Sequence, residues 1–244
     1  MTTGIMLIFS SWINQLFQKI INKIYSFNSK LTKSKILTYF FFRLEVLPYD
    51  SVSCQNWDFS TLILKKALNK YVRNGQRILE VGTGHLAILS MYISKNKTVD
   101  IYASDINPDY IENAKKNVIK NKVDVKLIKS DFFENINGNF DIIFFNPPYV
   151  PINWMLKNHK EFFTNTIIDL TWNGGIDGLE VIKRFMRHVK IHTNSESKIL
   201  LGVNSFFIKY EKMKSIIEEN GFILDSIVSS IWNPSKTYVI KNGD

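Results

Sequence analysis

A single cysteine, Cys54, stands in the 244 residues, so an internal disulfide framework and a cysteine-based zinc site are both excluded. The four histidines, His85, His159, His188 and His192, are scattered without ligand spacing, and no bound metal is expected. Internal repeats and low-complexity tracts are missing, which sets aside a solenoid or a compositionally biased chain. No apolar run reaches membrane length: Asn, Gln and Lys break every turn of the stretch at 5–27, so no transmembrane segment is expected. Residues 1–4 lack a basic leader, and no small-residue cleavage site follows the apolar stretch. No signal peptide is therefore expected, and a cytoplasmic location is. Acidic residues are the minority charge, with 22 Asp and Glu against 31 Lys and Arg, for a net +9.

That excess is uneven. Residues 1–47 hold Lys19, Lys23, Lys30, Lys33, Lys35 and Arg43 against Glu45 alone, which is +5 of the +9. Within 5–27, Ile5, Ile8, Phe9, Trp12, Leu16 and Ile20 mark an apolar face at helical spacing, with Gln15, Gln18, Lys19 and Lys23 opposite. A basic amphipathic helix of this kind suits a substrate, a membrane surface or the chain's own core. Its charge also suits nucleic acid. We divide the chain into a helical, basic N-terminal extension at 1–47 and a larger domain at 48–244.

From about Ser60 strands and helices alternate. Helical spacing runs from Ser60 to Tyr71, from Leu86 to Ser94, from Pro108 to about Asn121, near Leu179–Ile191 and from Tyr210 to Asn220. Between them lie the apolar strands 77–81, 100–105, 125–131, 140–146 and 198–204. Two further strands, 223–231 and 236–241, follow without a helix between them, separated by a turn at Asn233-Pro234. This order predicts an α/β domain with a doubly wound, mostly parallel seven-stranded sheet and an antiparallel C-terminal edge.

The most informative local feature is Asn146-Pro147-Pro148-Tyr149, directly after the apolar run FDIIFF. Two prolines cannot continue a sheet ladder. They leave an Asn side chain, free carbonyls and a phenol ring at one strand end, which together suit a planar group bearing NH2. In an open α/β sheet, ligands sit beyond the carboxyl ends of the strands. The first strand ends in Glu80-Val81-Gly82-Thr83-Gly84, without the third glycine of a dinucleotide cradle. Glu80 is placed to touch a ligand or to hold the glycine loop. Asp105 ends the next strand, where a carboxylate accepts from ribose hydroxyls, and Asp131 with Phe132 ends the third, where it accepts from an adenine amino group. Either aspartate also suits a cap.

Taken together, EVGTG, SDINPDYIENAKKN, KSDFF and FDIIFFNPPYVP resemble a class I S-adenosyl-L-methionine-dependent methyltransferase of the Asn-Pro-Pro-Tyr branch, over about Arg77 to the C-terminus. The segment TWNGGIDGLEVIKRF (171–185) further resembles the HemK/PrmC group, which methylates the glutamine of peptide-release factors. The resemblance implies an N-methyltransferase for a planar amide or amino nitrogen. A protein glutamine in a release factor is the first acceptor; an exocyclic amine of RNA or DNA and a small-molecule nitrogen are the alternatives. The cofactor is S-adenosyl-L-methionine, on Glu80, Gly82, Gly84, Asp105, Ile106, Asp131, Phe132 and Asn146. Asn146 and Pro147 clamp the amide, with Tyr149 beside them. Two segments depart from the family pattern: Gln55 to Thr61 lacks the expected glutamate, and His85-Leu86 replaces a small residue and a glycine.

Overall fold

The computed structural model describes residues 30–47, 49, 55–158 and 171–243. The amphipathic stretch at 5–27, Cys54 and His159 lie outside the described residues. Seven strands form one sheet in the order β3-β2-β1-β4-β5-β7-β6. β1 (Arg77–Val81), β2 (Asp100–Asp105), β3 (Lys126–Lys129), β4 (Ile142–Phe145) and β5 (Lys198–Asn204) run parallel. β7 (Asn233–Asn242) returns antiparallel between β5 and β6 (Phe222–Ser230). The doubly wound sheet and its antiparallel edge are thus as the apolar pattern requires.

Period-two alternation sends successive side chains of the central strands to opposite faces. On one face Leu79, Ile143 and Phe145 pack with Ile182 and Phe185 of the helix Glu180–Val189. On the other, Ile78, Ile142 and Phe144 meet Leu64 and Leu68 of the helix Phe59–Tyr71. Burial on both faces explains why β4 reads as an unbroken apolar run. In chain order the helices are α1 (Lys35–Phe42), α2 (Phe59–Tyr71), α3 (Ile88–Asn96), α4 (Pro108–Asn121), α5 (Ile152–Asn158), α6 (Glu180–Val189) and α7 (Tyr210–Glu219). Among the described residues no helix is long and apolar enough to cross a membrane.

The described part of the N-terminal extension shares this core. Phe42, Leu44 and Val46 are buried in the same cluster as Ile78, Leu89 and Phe144. A row of asparagines on α4, spaced four apart, then grips the extended chain. Asn117 Oδ1 accepts from the Leu47 N–H (2.7 Å) and its Nδ2 donates to the Leu47 carbonyl (3.0 Å). Asn121 does the same for Glu45, at 3.0 and 2.7 Å. Each side-chain amide satisfies one residue's backbone as a neighbouring strand would.

Several boundaries differ from the sequence expectation, β3 and β4 being shorter than the expected 125–131 and 140–146, and two of the differences have a local cause. Ala87 takes a left-handed backbone (φ 52°), so α3 starts at Ile88 instead of Leu86. The β6–β7 turn falls at Ile231–Trp232, and Asn233-Pro234 already belong to β7. Proline is tolerated there because it sits at the strand's start, where its missing N–H removes little of the ladder. Its carbonyl accepts from the Ser205 N–H at 3.1 Å.

Candidate active site

Chain order reverses beside β1: β2 and β3 lie on one side, β4 and β5 on the other. Ligands of open α/β sheets occupy the crevice at such a switch point. The registers Val81↔Ser104 and Val81↔Phe145 bring the carboxyl ends of β1, β2 and β4 level. Glu80, Gly82, Gly84, Asp105 and Asn146, named from sequence as one site, therefore meet at one crevice.

Gly82 has φ +63°, and a Cβ on it would stand 2.6 Å from the Phe145 ring, so only glycine fits. A Cβ on Gly84 would enter open space, which leaves the loop's backbone accessible from that side. Asp105 fastens this loop: its Oδ2 accepts from the Gly84 N–H (2.8 Å) and its Oδ1 from the Asn107 N–H (2.9 Å). Burial pushes its carboxyl above the ordinary range, against the lowering effect of those backbone donors. A carboxylate with one donor on each oxygen retains acceptor capacity for a hydroxyl. Ile106, next to it, is exposed.

Glu80 holds the loop from below. Its Oε2 accepts from Thr83 Oγ1 (2.7 Å) and the Ser90 N–H (3.2 Å), joining the glycine turn to α3. Burial raises its pKa to about 7, opposed by the Ser90 and Thr83 hydrogen bonds. Of the two roles the sequence left open, the observed contacts are those of a loop anchor. His85 is buried 6.1 Å from Tyr49 and 5.9 Å from Tyr110, ring to ring, and its Nε2 has no partner among the described residues. Asp131 is engaged by a residue that sequence reasoning missed: Arg184 of α6 donates to Asp131 Oδ2 at 2.7 Å and lies 4.7 Å over the Phe132 ring. The open loop, two carboxylates at successive strand ends and the Phe132 ring fit a nucleoside-bearing cofactor. Among the described residues no three His, Cys, Asp or Glu side chains form a metal cluster.

The Asn-Pro-Pro-Tyr turn meets the start of α2. Asp58 caps that helix, its Oδ1 accepting from the Thr61 N–H (2.7 Å) while Thr61 Oγ1 accepts from the Asp58 N–H (3.1 Å). The same carboxylate accepts from Asn146 Nδ2 at 3.3 Å. Ser60 Oγ lies 2.7 Å from Asn146 Oδ1, and the Tyr149 hydroxyl lies 3.3 Å from Ser60 Oγ and 3.4 Å from Asp58 Oδ2. Asp58 and Ser60 fall in the very segment that departs from the family pattern. Their signal in the sequence is the spacing Asp58-x-x-Thr61, a helix-start signature. On β5, Gly202 leaves room for the Asn146 side chain, since a Cβ there would stand 3.3 Å from Asn146 Oδ1. Pro147 is buried and Asn146 is half-buried.

Tyr149 is placed differently from the open platform expected. Its ring is only 6% exposed and packs 6.2 Å from Phe207, because the turn folds it inward over the sheet end. Burial, helped by the Asp58 charge, drives its phenol well above the ordinary range and keeps it a neutral donor. Its hydroxyl joins the hydrogen bonds of Asp58 and Ser60, while its ring is covered.

The segment after the turn explains its glycines. Gly174 donates to the Val150 carbonyl (3.0 Å), and Val150 donates to the Trp172 carbonyl (3.1 Å). Gly178, at φ +78°, lies so close that a Cβ would stand 2.5 Å from the Tyr149 carbonyl oxygen. Gly178→Ala is expected to destabilise the fold by about 1–2 kcal/mol from the left-handed backbone alone, and to push Tyr149 out of place. Urea denaturation of the variant measures this; unchanged stability would show that the segment does not buttress the turn.

Comparison with known proteins gives the family of the chain. Residues 50–191, more than half of the chain, match the family described as "Methyltransferase small domain". The ribosomal protein uL3 glutamine methyltransferase of Bradyrhizobium diazoefficiens is 35% identical over 133 residues, 52% of this chain and 40% of that protein. The release factor glutamine methyltransferase of Agrobacterium fabrum is 39% identical over 118 residues, 48% of this chain and 40% of that protein. Across the curated relatives matched first, the chain spans between 30% and 59% of the relative's length. A crystal structure of a methyltransferase from Pyrococcus furiosus covers 95% of this chain and is itself covered over 99%, with TM-score 0.63 and 19% identity, which is a likeness of fold.

Proposed function

We propose, since this chain belongs to the methyltransferase small domain family, that it is an S-adenosyl-L-methionine-dependent N-methyltransferase acting on the side-chain amide of a protein glutamine. The observation that carries the reading is Asn146, held by Asp58 and Ser60 at the end of β4 and level with the glycine loop of β1. The two relatives named for glutamine methylation support the acceptor; they act on different proteins, so a release factor and a ribosomal protein are both candidate partners.

An amide nitrogen is a poor nucleophile because its lone pair is delocalised into the carbonyl. Two fixed acceptors, Asn146 Oδ1 and the Pro147 carbonyl, would hold both N–H bonds and favour a pyramidal nitrogen with an available lone pair. Gly82, Gly84, Asp105 and Asp131 would hold the cofactor, which when bound supplies an electrophilic methyl group. No strong base is needed before attack, because the nitrogen becomes acidic as it gains the methyl. Alignment and fixed dipoles supply the acceleration.

The surroundings of the clamp suit a macromolecular acceptor. Ile231 and Trp232, each 89% exposed, form the β6–β7 turn. Asn233 Nδ2 donates to the Phe59 carbonyl at 2.9 Å, tying that turn to the start of α2, beside Asp58 and Ser60. A bare indole next to an acceptor site is a contact for a protein surface.

The test is transfer of labelled methyl from S-adenosylmethionine to purified release factors and ribosomal proteins. Mass spectrometry is expected to locate the added methyl on a glutamine amide. Label on an RNA base amine, or on no protein, would overturn the reading.

A further inference from the structure

β3 ends against β2: Lys129 pairs with Asp105, and the Ser130 N–H donates to the Asp105 carbonyl at 2.9 Å. Asp131 and Phe132 therefore follow directly past the strand end that carries Asp105. Phe132 has φ +47°, a left-handed backbone that a bulky side chain rarely adopts. Such a residue persists only where its surroundings hold it. Two groups do so here. Its ring meets that of Phe145 at 6.1 Å in a T-shaped contact, and the Arg184 guanidinium lies 4.7 Å over it. The helix that carries Arg184 is fixed at this end of the sheet, since Phe185 packs 5.1 Å from Phe145 and 5.6 Å from Phe133.

The same guanidinium gives Asp131 a direction. Arg184 Nη2 donates to Asp131 Oδ2 at 2.7 Å. No N–H or O–H of the described residues donates to Asp131 Oδ1, and the side chain stays 26% exposed. A carboxylate with one oxygen held presents the other at a set angle. That oxygen accepts and cannot donate, so it distinguishes a purine bearing an amino group from one bearing an oxo group.

We propose that Arg184 is a positioning residue of the nucleoside site: by holding Asp131 Oδ2 and covering Phe132, it aims Asp131 Oδ1 at the exocyclic amino group of the cofactor's adenine. The proposal rests on the S-adenosylmethionine-dependent reading of the crevice and names the residue that sets its selectivity for the base. The strain at Phe132 and the ion pair at Asp131 are thereby held by one side chain.

Calorimetry tests this without an acceptor protein, by comparing S-adenosylhomocysteine with S-inosylhomocysteine, in which an oxo group replaces the amino group. The wild type is expected to prefer the adenine ligand about tenfold, the value of one hydrogen bond to a charged group. Arg184→Met keeps an apolar stem over Phe132 and removes the guanidinium. It is expected to raise Kd for S-adenosylhomocysteine about threefold, in the range of a partly exposed ion pair. Kd for the inosine ligand stays near the wild-type value, so the preference falls to about three. In an Asp131→Ala background the preference is lost, and Arg184→Met adds nothing further.

A preference unchanged in Arg184→Met overturns the proposal, as does a wild type that binds both ligands alike. Equal weakening of both ligands would make Arg184 a support of the fold and overturn it too. A further loss in the Asp131→Ala background would place Arg184 on the cofactor directly, against the proposal. Failure of the wild type to label any glutamine would instead remove the acceptor reading, and these ratios would still decide on Arg184.

Discussion

Asn146→Ala is expected to lower kcat for methyl transfer by about two to three orders of magnitude, the loss typical of removing one preorganised polar group from a reacting centre. The substitution deletes the acceptor that Asp58 and Ser60 hold in place. It leaves the Pro147 carbonyl alone to orient the amide, and one fixed N–H does not define the direction of the nitrogen lone pair. Gly82, Gly84 and Asp105 are untouched, so calorimetric affinity for S-adenosylmethionine is expected to change little. A parallel loss of affinity and rate would mean that Asn146 serves the cofactor and not the acceptor. The thermal midpoint controls for the hydrogen bonds lost with Asp58.

The second large effect is on stability as a function of pH. Burial raises the Glu80 carboxyl from 4.5 to about 7. Folding therefore favours its protonated form, and that contribution is full below pH 4.5 and lost as pH rises through about 7. Asp105, also raised by burial, works in the same direction. His85 runs the other way. Burial, with the Lys33 charge assisting, lowers its pKa from 6.5 to about 4, so folding favours the neutral ring. Its contribution is full above pH 6.5 and lost as pH falls through about 4.

Where these windows overlap, the slopes oppose one another and the wild type is expected to be nearly flat. Glu80→Gln should unmask His85, so that stability falls on acidification by at most about 3 kcal/mol, at 1.36 kcal/mol per pKa unit, less what the raised Asp105 carboxyl returns in the opposite sense. His85→Phe should unmask Glu80 and Asp105, so that stability rises on acidification instead. Denaturant titrations at several pH values measure both slopes. Parallel curves for the wild type and the two variants would show that these buried groups do not govern its pH response.

Much of the candidate site is legible in the sequence because each piece sits where a strand must end. Gly82, Asp105 and Asn146 close apolar runs, and a doubly wound order brings such ends to one crevice. The partners of those residues were not legible. Asp58 is 88 positions from Asn146, and only the packing of α2 against β5 and β7 brings them together. Arg184 reaches Asp131 from 53 residues away across the sheet's face. No periodicity in a sequence encodes a contact of that range.

Tyr149 shows the same limit in another form. As letters, Asn-Pro-Pro-Tyr offers a ring to whatever binds; in the fold the ring turns inward and only its hydroxyl counts. The Gly174 to Gly178 segment decides this, because it presses backbone against backbone at Tyr149.

What the amino-acid order determined by itself was the alternation of strands and helices, the sheet's parallel core with its reversed edge, and the polar residues that punctuate each strand's carboxyl end. These follow from local rules, since side-chain period and strand-ending residues act within a few positions. Tertiary structure alone decided what those polar residues face: which aspartate orients Asn146, which arginine occupies Asp131, and that Glu80 anchors a loop. Hydrogen bonds between side chains depend on distances that only the packed sheet and its helices set.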